Sequence, residues 1–148
     1  MAGIRRIIFA SDFSKQSRKA FATAVSMAKA NRATLTIVHV VVPFTPIVPE
    51  QYINTETWEQ IDRGARKWGR QRLSRVTDAA RRAGVRAVGV LLEGDPAHQI
   101  TRVAKSKHAD LLVVGTHGRT GLAKLFVGSV AGRVVATAPC PVVTVRSG

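Results

Sequence analysis

Short apolar runs separated by longer amphipathic stretches set the outline of this chain. Ile4 to Ala10 carries Ile4, Ile7, Ile8 and Phe9, and Thr34 to Val42 reads TLTIVHVVV, β-branched at nearly every position. Val85 to Leu92, Asp110 to Val114 and Pro141 to Val145 complete the set. Most of these runs are apolar at successive residues rather than alternate ones. That pattern predicts strands buried on both faces of a parallel sheet.

Helical patterns lie between the runs. Residues 15–30 place Ala20, Val25, Met27 and Ala28 among Lys15, Arg18 and Lys19, with Ser14 as an N-cap candidate. Residues 55–83 form the longest segment, its apolar stripe made of Trp58, Ile61, Ala65, Trp68, Leu73, Val76, Ala80 and Ala83. Gly69 in its middle costs about 1 kcal/mol relative to Ala, and Gly84 is a natural residue to follow its end. Residues 96–107 predict a shorter helix, with Asp95 as cap and Pro96 at its first position. Residues 122–137 predict the last helix, closed by Ala138-Pro139. The order is β-α-β-α-β-α-β-α-β. Right-handed crossovers then give a three-layer α/β sandwich, a single domain over residues 1–148 with no linker. The long irregular stretch from Pro43 to Asn54 suits a lid, a binding loop or a dimer contact.

Composition narrows the setting. The one cysteine, Cys140, excludes an internal disulfide framework and a Cys-rich zinc site. No run of 18 apolar residues exists to form a membrane-spanning helix, and the apolar stretch near the N-terminus is too short for a signal peptide. A soluble, reducing, cytoplasmic setting is the expectation. Lys and Arg number 23 against 9 Asp and Glu, a net charge of +14. Such a field attracts polyanions. From Arg63 to Arg86 there are nine basic residues and one acid, Asp78. This run reads either as a nucleic-acid stripe or as a solvated helix face. The second reading is favoured, because Trp58 and Trp68 fall on the apolar stripe and leave the charges without interleaved aromatic rings.

The chemistry concentrates between Leu111 and Ser129, LLVVGTHGRTGLAKLFVGS. A buried strand runs into Gly115, Thr116, His117 and Gly118; Gly121 follows where the next helix is expected to open, and Gly128 and Ser129 come further on. Glycines let backbone amides approach an anion, and a helix N-terminus beside them adds N–H groups and a favourable dipole. Thr116, Thr120 and Ser129 add hydroxyls. A di- or triphosphate needs such a cradle. The Walker pattern Gly-x-x-x-x-Gly-Lys-Ser/Thr is absent. So is Gly-x-Gly-x-x-Gly after the first strand, where the chain reads Ala10-Ser11-Asp12-Phe13-Ser14.

These residues resemble the universal stress protein family, of the UspA type, in its ATP-binding branch. The family signature Gly-x2-Gly-x9-Gly-Ser/Thr is matched by Gly115, Gly118, the nine residues Arg119 to Val127, Gly128 and Ser129. The turn Ser11-Asp12-Phe13-Ser14 and the ending Pro139-Cys140-Pro141-Val142 are also similar to the family's. The resemblance implies a five-stranded parallel sheet of order 3-2-1-4-5, an adenine nucleotide alpha hydrolase-like fold. It implies that Asp12 lies at the ribose and that backbone near Val40, Val41 and Val42 holds adenine. It implies phosphate contacts at Gly115, Gly118, Gly128, Ser129 and Val130; Thr116, His117 and Arg119, in the same turn, are further candidates for nucleotide binding. The implied cofactor is ATP, with the role of Mg2+ left open. The implied assembly is a homodimer in which Val142 to Val145 pairs antiparallel with its mate, and the implied role is in the stress response.

Alternatives remain for individual residues. Asp12 is either a ribose ligand or a cap for the first helix, a role Ser14 could take. His117 either contacts phosphate or points to solvent. Cys140, between two prolines, reads as an inert core or interface residue. Hydrolysis would need Mg2+ ligands and a group that places water. Acidic residues are scarce: Asp12, and after it Glu93 or Asp95, are the candidates to approach the site. The chain therefore reads as a nucleotide sensor or regulator with little or no turnover and no assigned catalytic residue. A non-catalytic interaction module with an empty cleft is the alternative, and dedicated nucleic-acid binding stands behind both.

Overall fold

The computed structural model describes residues 3–43, 49–52, 54–116 and 128–146. Among the described residues, five strands and four helices alternate: β1 (Arg6–Ala10), α1 (Ser17–Asn31), β2 (Thr34–Val41), α2 (Thr55–Arg82), β3 (Arg86–Glu93), α3 (Pro96–Ser106), β4 (Leu111–Gly115), α4 (Ser129–Thr137) and β5 (Val142–Val145). Of the stretch expected to be irregular, residues 44–48 and 53 lie outside the described residues, and Glu50–Tyr52 forms a 3-10 turn. The sheet order is β3-β2-β1-β4-β5, with each neighbouring pair parallel.

Successive strand residues point to opposite faces. Ile7 and Phe9 join Leu35, Ile37, Leu111 and Val113 under α1 and α2. Ile8 joins Val38, Leu112 and Val114 under α3 and α4. Both sets are buried, which explains the unbroken apolar runs of β1, β2 and β4. The outer strands depart from that expectation. β3 and β5 end the sheet, so β3 is mostly exposed or half-buried, and Val88 keeps 44% of its surface in water.

The apolar stripe of α2 is only half used. Its buried residues are Gly69, Leu73, Thr77 and Ala80, whereas Ile61 is 41% exposed and Trp58, Ala65 and Trp68 are half-buried. The reason is length. A helix of 28 residues runs about 42 Å, while the 8 residues of β3 span about 26 Å. The N-terminal half of α2 overshoots the strand on which the rest packs.

Gly69 and Gly89 mark where that packing is tightest. A Cβ on Gly69 would lie 3.2 Å from Leu91 and 3.3 Å from His39, and one on Gly89 would lie 2.7 Å from the Thr77 hydroxyl. The helix-propensity cost of Gly69 is thus offset by close approach of α2 to β2 and β3.

The expected caps hold at Asp95, which accepts from the His98 N–H at 3.0 Å, and at Gly84, whose φ of +93° ends α2 in left-handed backbone. The expected last helix is corrected at its start. Gly128 is extended (φ −54°, ψ 152°), because its N–H is drawn to Thr116, and α4 begins at Ser129. Residues 122–127 lie outside the described residues. Among the described residues, no helix is long and apolar enough to cross a membrane.

Candidate functional site

In a sheet of this order the side to which successive strands are added reverses between β1 and β4, and their carboxyl ends open a crevice. Ala10 pairs with Val114, so Ser11 and Asp12 leave β1 opposite the point where Gly115 and Thr116 end β4. Both candidate segments therefore meet at one place.

The turn after β1 is built by its own short polar side chains. The Phe13 N–H donates to Ser11 Oγ at 3.0 Å, the Ser14 N–H to Asp12 Oδ1 at 2.9 Å and the Ser17 N–H to Ser14 Oγ at 3.2 Å. The residue before α1 is Gln16, whose side chain makes no cap bond. Ser14 bonds the first residue of α1, and Asp12 binds within the turn instead. Among the described residues, the one bond to the half-buried Asp12 carboxylate is that from Ser14, which leaves Oδ2 to meet a ligand. Phe13 holds a left-handed φ of 63°, an unusual conformation for an aromatic residue.

His39 explains what holds Phe13 there. It is buried near the end of β2, and its Nδ1–H donates to the Ser11 carbonyl at 2.8 Å. The Phe13 ring lies over the imidazole, centroids 4.2 Å apart, and Trp68 of α2 meets Phe13 edge-on at 5.6 Å. Arg72 in turn sits over Trp68 at 5.4 Å. Sequence reasoning singled out neither His39 nor Phe13. The signal was a lone imidazole in an otherwise apolar run, one residue before Val40.

Backbone alternation distinguishes Val40 from Val41. The Ser11 N–H donates to the Val38 carbonyl at 2.9 Å, so even-numbered residues of β2 turn their main chain toward β1. Val40 faces the same way, beyond the point where β1 has bent off. Val41 faces β3, and its carbonyl accepts from the Gly94 N–H at 3.0 Å.

On the other side, Thr116 is buried and its N–H donates to the Val145 carbonyl at 3.0 Å. The Gly128 N–H donates to the Thr116 carbonyl at 2.6 Å, which joins the two ends of the segment between them. The first bond of α4 runs from Gly132 N–H to the Gly128 carbonyl, so the amides of Ser129, Val130 and Ala131 form the open N-terminus of that helix. His117, Gly118 and Arg119 lie outside the described residues.

The other carboxylates weighed for the site are engaged elsewhere. Glu93 pairs with Arg66 at 3.5 Å. Asp95 caps α3 and takes two bonds of 3.0 Å from the Arg133 guanidinium; that pairing, with the His98 N–H, holds its pKa below the ordinary value. Among the described residues, no group of three or more His, Cys, Asp or Glu could hold a metal ion. Cys140 is half-buried, and burial holds its thiol pKa above the ordinary value, with the Asp110 charge adding to the effect. A protonated thiol is a poor nucleophile.

Comparison with known proteins agrees with this architecture. The model of the universal stress protein family matches residues 3–146. Universal stress protein MJ0531 of Methanocaldococcus jannaschii is 36% identical over 144 residues, 96% of this chain and 82% of its own. Universal stress protein YxiE of Bacillus subtilis is 34% identical over 145 residues, 95% and 98%. Among solved structures, the protein MJ0577 superposes with a TM-score of 0.84 at 19% identity, covering 99% of both chains. A universal stress protein in complex with cAMP gives 0.73 at 24%, covering 99% and 100%. The universal stress protein of Archaeoglobus fulgidus in complex with dAMP gives 0.67 at 20%, covering 97% and 98%. With the whole chain matched and the strand order shared, this protein belongs to the universal stress protein family and has its adenine nucleotide alpha hydrolase-like fold.

Proposed function

We propose that this protein binds ATP in the crevice at the carboxyl ends of β1 and β4, as a stress-response sensor or regulator with little or no hydrolysis. The observation that carries the reading is the Gly128–Thr116 bond, which brings the open N-terminus of α4 to the end of β4, across from Asp12. In this reading Asp12 Oδ2 accepts from ribose hydroxyls. The main chain of Val40 meets the adenine edge, and Val41, whose carbonyl is already bonded, contributes packing. The phosphates lie on Gly115, Thr116, His117, Gly118, Arg119, Gly128, Ser129 and Val130. The helix dipole and the net charge of +14 favour a polyanion there. Adenine nucleotides bind two solved proteins of the same fold, which supports the class of ligand. The setting proposed is the cytoplasm. The assembly proposed is a homodimer through the edge strand Val142–Val145.

Low turnover follows from the carboxylates. Of the three weighed, Glu93 and Asp95 are already paired with arginines, and Asp12 is assigned to ribose. No residue is therefore assigned to hold Mg2+ or to place water. Equilibrium dialysis of ligand-stripped protein against ATP, ADP and AMP tests the reading. Saturable binding with ATP tightest is expected. No binding at about 1 mM nucleotide with Mg2+, a limit of about 4 kcal/mol, would favour the empty-cleft interaction module.

A further inference from the structure

We propose that the open edge of β3, with the flank of α2 beside it, is a docking groove for an extended acidic segment of another protein, which adds to the sheet as a sixth strand.

The direction of the backbone is the first ground. The Gly94 N–H reaches the Val41 carbonyl of β2, so even-numbered residues of this strand face β2. Alternation turns the main chain of Ala87, Gly89, Leu91 and Glu93 outward. Among the described residues β3 ends the sheet on this side. The Ala87 carbonyl is taken by Arg81 Nε at 3.0 Å. Gly89, Leu91 and Glu93 remain outward; Gly89 and Leu91 are the two on the stretch beside α2 that carry no charge, and Arg81 marks where an added strand must stop.

The second ground is the shape beside that pair. A cavity of about 250 Å3 is lined by Arg70, Leu73, Ser74, Thr77, Asp78 and Arg81 over Gly89. Gly89 is exposed, and a side chain at this position would meet Thr77 and Leu73. An added strand would direct every second side chain into this space, with Leu73 as its apolar wall. An edge strand beside a helix is a recurrent geometry for strand addition, in which main-chain bonds give affinity and pockets give specificity.

Charge selects the occupant. Arg70 and Arg81 face the cavity, and nine basic residues stand against one acid between Arg63 and Arg86; Glu93, the outward acid at the end of β3, is already paired with Arg66. The one acid within that run, Asp78, already lies 3.8 Å from Arg81. A row of main-chain donors and acceptors at strand spacing matches a peptide rather than a phosphate backbone. The site is independent of the nucleotide crevice, which opens between β1 and β4.

The test uses a fluorescein-labelled heptapeptide of alternating glutamate and valine with the full-length protein. Three controls accompany it: a lysine–valine counterpart, heptaglutamate, and single-stranded DNA of equal charge. Anisotropy is expected to show saturable binding by the glutamate–valine peptide. Amide exchange followed by NMR is expected to slow at Gly89 and Leu91. Arg70→Glu combined with Ser74→Glu is expected to weaken the peptide by about tenfold or more, as loss of charge complementarity does, and to leave ATP binding unchanged. Equal binding of heptaglutamate or DNA would overturn the proposal in favour of polyelectrolyte attraction. So would unaltered exchange at Gly89 and Leu91, or no binding at about 1 mM peptide.

Discussion

His39 Nδ1 lies 2.8 Å from the carbonyl of Ser11, 28 residues earlier in the chain, and donates to it. The bond takes the place of a ladder rung at the point where β1 gives way to the turn that presents Asp12. A buried imidazole with no assigned chemistry of its own thus positions the carboxylate assigned to ribose. His39→Leu would leave the Ser11 carbonyl without this donor, at a cost of roughly 1–3 kcal/mol. A lower urea midpoint and weaker nucleotide binding are expected together, whereas loss of stability with unchanged affinity would remove His39 from the site.

Asp12→Ala separates ribose contact from metal contact. Ribose is common to AMP and ATP, so both should weaken, by about tenfold or more for a hydrogen bond to a charged group. Dialysis against each nucleotide reads this. Selective loss of ATP would place Asp12 at a phosphate-bound cation instead.

The Asp95–Arg133 pair gives a pH dependence with a definite sign. The pKa of Asp95 is lowered in the folded state by Arg133 and by the His98 N–H. Its contribution is therefore present above the ordinary carboxylate pKa and is lost as pH falls through the folded value. Asp95→Asn is expected to lower the denaturation midpoint at about pH 7, and the difference from wild type should shrink as pH falls through the folded-state pKa, which lies below the ordinary carboxylate value. The pKa of Asp110 is also lowered, by the Arg5 and Arg6 N–H groups, but that effect is common to both proteins and cancels. A difference that persists unchanged in acid would mean the asparagine disturbs the α3 cap itself.

Assembly through β5 can be tested on a single amide. The carbonyls of Pro141 and Val145 accept from Leu112 and Thr116 of the β4 side, so Val143 also turns its main chain inward and Thr144 turns outward. Thr144→Pro removes an outward donor and spares the β4–β5 ladder. Light scattering at about 0.15 M salt, where screening extends to about 8 Å, should give a dimer for wild type and a monomer for the variant. A monomeric wild type would leave the β5 edge to some other partner.

The layers and helices of the fold were legible because periodicity reports burial. β1, β2 and β4 carry apolar residues on both faces since both are covered, and caps such as Asp95 and Gly84 are local. The edge positions of β3 and β5 were not legible from composition: VGVLL and PVVTV are as apolar as the central strands. Strand order is a long-range property, and it came from the family resemblance. The overshoot of α2 was hidden for the same reason, since a stripe shows which face is apolar and not how far the supporting sheet extends. At the site, the glycine spacing and Asp12 stood out in the chain. The roles of His39, Phe13 and Trp68 did not, because they depend on contacts between β2, the β1 turn and α2.

The most direct test of nucleotide binding in the β1–β4 crevice is an amide chemical-shift map during an ATP titration of the ligand-stripped protein. Shifts are expected to concentrate on Asp12, Val40, Gly115, Thr116, Gly128, Ser129 and Val130, with Gly89 and Leu91 unmoved. Saturable shifts confined to any other surface, or none at about 1 mM ATP, would contradict the account.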